Sequence, residues 1–148
     1  MLLTVFKNLF SSIFSNKQPS LIQVTNDDEV SRFITSRKNF NTKGRIKYPA
    51  FMPYAPEKNL ELSLYCTTGT SHEVIWGELS KKIQKTPYGR GIIKAIHFFK
   101  EDLELINTPD NHPLHLDAIK WPHDKGKQIL IARKLADEAK FEKNLSTK

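Results

Sequence analysis

His115 and Asp117 are the residues best placed by type and spacing to do chemistry. They sit two apart in HPLHLDAIKW, residues 112–121, a run that predicts an extended strand. Side chains two apart on a strand point the same way. A carboxylate beside an imidazole orients the ring and favours its charged form, the basis of general acid–base catalysis. His112 and His123 bracket the pair. Histidines with Asp117 or Asp110 are also ligand types for a divalent metal. On a strand, however, HPLH places its two histidines on opposite faces, which argues against one shared ion. No metal or other cofactor is expected. A polar strand edge accounts for the same residues, and Pro113 suits an edge or a strand start.

A second candidate is the turn Thr68-Gly69-Thr70-Ser71. Hydroxyls and free amides entering a helix N-terminus can hold an anion. The turn lacks a phosphate-loop lysine and a GxGxxG pattern. Thr70 and Glu73 also have capping-box spacing, so the same residues can simply close the helix end.

The third candidate is charge. The chain has 148 residues and a net charge of +7. Residues 32–47 contain Arg32, Arg37, Lys38, Lys43, Arg45 and Lys47 and no acids, with Phe33 and Phe40 interleaved. Residues 79–100 contain Lys81, Lys82, Lys85, Arg90, Lys94 and Lys100 and again no acids. Cations alternating with aromatics suit phosphates and stacked bases. A solvated loop with Phe40 turned inward fits the first region equally well.

These candidates need elements to hold them. Leu60, Leu62, Leu64 and Cys66 alternate with Glu61, Ser63, Tyr65 and Thr67, the period of a half-buried strand. Val74, Ile75, Leu79 and Ile83 then recur at helical spacing, with lysines near the helix end. Upstream, residues 1–15 form an amphipathic run that predicts a helix, followed by a short linker to residue 20. Residues 28–36 predict another helix, with acids in its first turn and Val30, Phe33 and Ile34 as its stripe. Residues 91–99 read as a strand, residues 103–107 as a returning hairpin strand, and residues 125–143 as a final helix capped by Asp124. The order α-α-β-α-β-β-β-α favours an α+β domain over 21–148. It implies a mainly antiparallel sheet of about four strands, with helices on one face and the amphipathic N-terminal helix appended.

Cys66 is the only cysteine, so the chain has no internal disulfide and no cysteine-based zinc site. Its place on the apolar face predicts a buried thiol. No apolar run reaches the roughly 18 residues that span a bilayer. A cytoplasmic location is the expectation. G-x-S-x-G, HExxH and phosphate-loop patterns are all absent.

The segments SRFITSRKNF, GRIKYPAFMP, LSLYCTTG, GRGIIKA, HPLHLDAIKWPHDK and ILIARKLADEA together resemble a group of small uncharacterised bacterial proteins. The resemblance covers about residues 31–139. It implies a bacterial or phage source and an autonomous domain, and it implies no activity. The leading functional expectation is a small basic accessory protein that binds a polyanion, foremost nucleic acid, through phosphate contacts. One rival is an enzyme acting on a phosphate-containing substrate with His115 and Asp117 as acid and base. The other is an interaction subunit that docks on a larger protein partner through its N-terminal helix.

Overall fold

The computed structural model describes residues 22–54 and 59–146. The expected N-terminal helix lies outside the described residues. The remainder is α+β, built on one antiparallel sheet of six strands, not four. In chain order these are β1 (Glu29–Ile34), β2 (Leu62–Cys66), β3 (Gly89–Lys94), β4 (Glu104–Asn107), β5 (His115–Ile119) and β6 (Lys140–Lys143). Their spatial order is β4-β5-β2-β1-β3-β6. The helices are α1 (His72–Gly77), α2 (Ile96–Phe99) and α3 (Lys125–Glu138). Short 3-10 turns occupy Arg37–Asn39, Tyr48–Phe51 and Leu79–Lys82.

Two strands replace expected helix. The spacing of Val30, Phe33 and Ile34 fits a helix, yet residues 29–34 form β1 and pair with β3 from Glu29–Lys94 to Ile34–Gly89. Both faces of β1 are buried, which erases the alternation that marks a half-buried strand. Sheet pairing on both sides outweighs the weak helical pattern. The last helix stops at Glu138, where the Ala139 amide turns back to the carbonyls of Leu135 and Ala136. Residues 140–143 then extend as β6 along the free edge of β3. Gly89 permits this approach, since a Cβ there would lie 2.6 Å from the Phe141 ring.

The expected strand over residues 91–99 is shortened. The Ala95 and Ile96 amides are taken by the Asp28 and Asn26 carbonyls, and the chain coils into α2. The central helix ends early at Gly77 and continues as a 3-10 turn. Its cap is Ser71, whose side chain accepts from the Val74 amide, and not Thr70.

Helices cover both faces of the sheet, where one had been expected. On one face Val30, Ile34, Leu62, Leu64, Leu116 and Ala118 pack against Ala132, Leu135 and Ala136 of α3 and against Phe51. On the other, Phe33 and Tyr65 pack against Ile75, Trp76 and Leu79. Phe33 meets Trp76 edge to face at 5.6 Å and Tyr65 at 5.7 Å, geometry that adds to simple burial.

Candidate functional site

The groove beside β6 is assembled from three stretches of chain. Ser36 caps the turn that holds Arg37, accepting from the Lys38 amide. Asn41 Oδ1 accepts from the Lys43 and Arg45 amides, both at 2.9 Å, while Gly44 takes φ +79°. This turn presents Lys43. The Tyr88 amide bonds the Ile34 carbonyl, which fixes Tyr88 next to the same loop. Phe141 and Lys143 arrive on β6. Together Arg37, Phe40, Lys43, Tyr88, Phe141 and Lys143 line an open groove of about 1180 Å³. Phe40 stacks on Phe141 with centroids 4.7 Å apart and lies 5.8 Å from Tyr88. Tyr88 is 42% exposed. The Arg37 guanidinium carbon sits 5.5 Å from the Tyr88 ring centre, within cation–π range.

The other cations separate into distinct environments. Lys38, Lys81, Lys82 and Lys85 are exposed. Arg45 pairs with Asp137 at 3.2 Å on the surface and lines a second, smaller cleft with Lys47 beside α3. Lys94 lies 3.8 Å from Asp27. Arg90 departs from the expected role of phosphate ligand. It is 3% exposed and clasped by carboxylates. Its Nε and Nη2 donate to the two oxygens of Glu142 at 3.0 and 3.2 Å. Nη1 donates to Ser31 Oγ at 2.7 Å and to Glu29 Oε2 at 3.3 Å. Burial pulls the Glu142 carboxyl up, but the hydrogen bonds and charge of Arg90, aided by His72, outweigh it and hold the group below its ordinary value.

His115 occupies a different place from the one expected. β5 runs between β4 and β2, so it is an interior strand and not an edge. His115 and Asp117 are each 8% exposed. Both imidazole nitrogens are engaged by hydroxyls and not by Asp117. Nε2 is 3.0 Å from Ser63 Oγ, and Nδ1 is 2.6 Å from Thr108 Oγ1. The Tyr65 ring meets the imidazole edge to face at 5.1 Å. Tyr65 donates its hydroxyl to Asn111 at 2.6 Å, and burial pushes its pKa up to about 12. Burial pulls the His115 pKa down, against the opposing influence of Asp117, Thr108 and Glu61.

Arg32 closes the inner wall of this cleft. β1 and β2 pair at Val30–Cys66 and Ser31–Tyr65. Beyond that point the Arg32 side chain bridges the strands, with Nε donating to the Ala50 carbonyl at 2.9 Å and Nη1 to the Ser63 carbonyl at 3.1 Å. Desolvation alone lowers its pKa to about 10, so it stays charged at neutral pH. Arg32, Ser63, Tyr65, Lys82, Asn111 and His115 line a cleft of about 110 Å³.

The Thr68–Ser71 turn faces acids. Thr68 Oγ1 accepts from the Glu29 amide and donates to Asp28 Oδ1 at 2.9 Å. Thr70 Oγ1 is buried without a hydrogen bond, and Gly69 takes φ +66°. Two carboxylates beside the turn disfavour an anion there. Cys66 is buried, and burial pushes its thiol pKa up, as suits an inert thiol. Among the described residues no His, Cys, Asp or Glu cluster could hold a metal ion, and no helix is long and apolar enough to cross a membrane.

Ser63, Tyr88, Phe141 and Lys143 were not singled out by sequence reasoning. Ser63 was legible on the polar face of its strand, but its partner His115 is 52 residues away. The β2–β5 register, with Tyr65 opposite His115 and Ser63 opposite Asp117, is what joins them. No family model, curated protein or solved structure matches the chain.

Proposed function

We propose that this protein binds single-stranded nucleic acid along the groove formed by Arg37, Phe40, Lys43, Tyr88, Phe141 and Lys143. The observation that carries this reading is the gathering of three cations and three aromatic rings from three separate stretches of chain. Cations track a phosphate backbone, while exposed rings stack bases. A duplex hides its base faces, so exposed Tyr88 favours a single strand. Contacts of this kind give affinity without base readout.

The test is fluorescence anisotropy with labelled single-stranded DNA, RNA and duplex DNA over a range of salt. Three phosphate contacts on a single strand give a log–log salt slope of about −2. Charge reversal at Arg37, Lys43 and Lys143 abolishes that slope with the binding. Undiminished binding by the triple variant rejects the groove.

A further inference from the structure

We propose that the cleft around Ser63 and His115 is a phosphomonoester-hydrolysing site, with Ser63 as nucleophile and His115 as general base. The geometry stands apart from the aromatic groove. Ser63 is exposed, and its Oγ lies 3.0 Å from His115 Nε2. That is the reach a base needs to take a hydroxyl proton. On the far side of the ring, Thr108 Oγ1 at 2.6 Å fixes the imidazole plane. When Nδ1–H donates to Thr108, Nε2 is bare and faces Ser63. The Tyr65 ring packs on the imidazole, and β4 and β2 flank its strand, so the base is held on rigid elements.

The substrate class follows from the walls. Arg32 is the half-buried cation of the cleft, and among the described residues its side chain donates to two backbone carbonyls and to no carboxylate. A partly desolvated guanidinium with no paired carboxylate among the described residues favours an anion beside it. Lys82 adds a second, exposed positive charge. Two cations lining the cleft that holds a hydroxyl nucleophile suit a phosphoryl group, whose charge is spread over its non-bridging oxygens in the transition state. The cleft, at about 110 Å³, has room for a terminal phosphate and little more. The alcohol portion of the ester stays at the mouth.

The reaction balances within the cleft. Ser63 Oγ attacks phosphorus as its proton passes to His115 Nε2. The bond from phosphorus to the leaving oxygen breaks on the opposite side, in line with the attack, and solvent protonates that oxygen. Water then enters on that same far side, gives its proton to solvent and cleaves the phosphoserine ester, while His115 returns its proton to Ser63 Oγ. Inorganic phosphate leaves and the Ser63 hydroxyl is restored. Arg32 and Lys82 hold the phosphoryl oxygens throughout. His115 is largely neutral at pH 7 because burial disfavours its charged form, so it begins as a competent base.

The test uses the full chain with p-nitrophenyl phosphate, following nitrophenolate release. Acid-quenched samples are digested and read by mass spectrometry for phosphate on Ser63. The expected result is turnover with a phosphoserine at residue 63. Ser63→Ala removes both, His115→Gln lowers turnover about 100-fold or more, and Arg32→Met lowers kcat/KM about 100-fold. Ser63 is exposed, so Ser63→Ala keeps the fold, which its thermal midpoint verifies. No turnover by the wild-type protein overturns the proposal. Turnover that survives Ser63→Ala overturns it equally, including the case where only His115→Gln is inactive.

Discussion

Arg32 and Arg90 lie on adjacent, paired strands, yet they illustrate opposite uses of a positive charge. Arg90 is fully satisfied. Glu142 takes it from one side by two hydrogen bonds, and Glu29, Ser31 and Thr67 take its remaining nitrogen. Arg32 has two carbonyls and, among the described residues, no acid. The first arrangement locks β1, β2, β3 and β6 together on one face of the sheet. The second leaves a net charge at the back of an open cleft. The two side chains leave opposite faces of the sheet and differ in burial, and the counter-charge further separates a structural arginine from one facing a ligand.

That contrast can be broken most forcefully at Arg90. Replacing it with Met strands Glu142 and Glu29 beside a buried gap. The expected loss is about 3–5 kcal/mol of folding free energy, the usual cost of removing one partner from a buried ion pair. Chemical denaturation measures it. A loss under about 1 kcal/mol would show that the clasp is not holding the strands. Arg32→Met leaves two carbonyls without a donor but no stranded charge. Its expected cost is only about 1–2 kcal/mol, and the gap between the two variants is the contrast in numerical form.

Acid unfolding probes the same two regions at different pH. The His115 pKa is lowered in the fold, so the unfolded chain takes up its proton first as pH falls. Stability is therefore lost as pH drops below the ordinary histidine value of about 6.5. The Glu142 pKa is also lowered, so its contribution is complete above the ordinary glutamate value and disappears as pH falls through the folded one. His115→Gln should flatten the upper part of the acid limb, and Glu142→Gln the lower part. Melting midpoints measured across the acid range distinguish them. A single acid limb unaltered by either substitution would contradict both assignments.

The groove offers a finer contrast, because its charges are exposed and its loss should be functional only. Tyr88→Ala removes one stacking platform and should weaken single-strand binding by about 1–3 kcal/mol, read by anisotropy. The smallest effect belongs to the groove cations as stability elements. Charge reversal at Arg37 or Lys43 should change folding free energy by no more than about 0.5 kcal/mol each. A larger change would mean that these side chains are structural, like Arg90.

Much of the scaffold could be read from residue order. The alternation around Leu62, Leu64 and Cys66, a strand over Glu104–Asn107, and Asp124 as the cap of α3 all stand where local pattern placed them, but the strand over Glu104–Asn107 pairs with β5 and not, as a hairpin, with the strand before it. β1 and β6 did not. Residues 29–34 are buried on both faces, and residues 140–143 are charged and short, so neither shows a strand period on its own. Each becomes a strand because β3 offers it hydrogen-bonding partners. The same limit applied to the site. His115 and Asp117 share a face as their spacing required, but the group that engages Nε2 is Ser63, delivered by a register no local pattern encodes.

By itself the sequence determined the local properties: an excess of positive charge, the faces of three strands, and Asp124 as the cap of the final helix. Only the tertiary structure decided which charges are free to act. An arginine carries its charge wherever it lies, but its field depends on what the fold brings beside it. Glu142, 52 residues away, neutralises Arg90. Among the described residues no carboxylate pairs with Arg32, and the electrostatic energy of each follows from that distance and burial rather than from its neighbours in the chain.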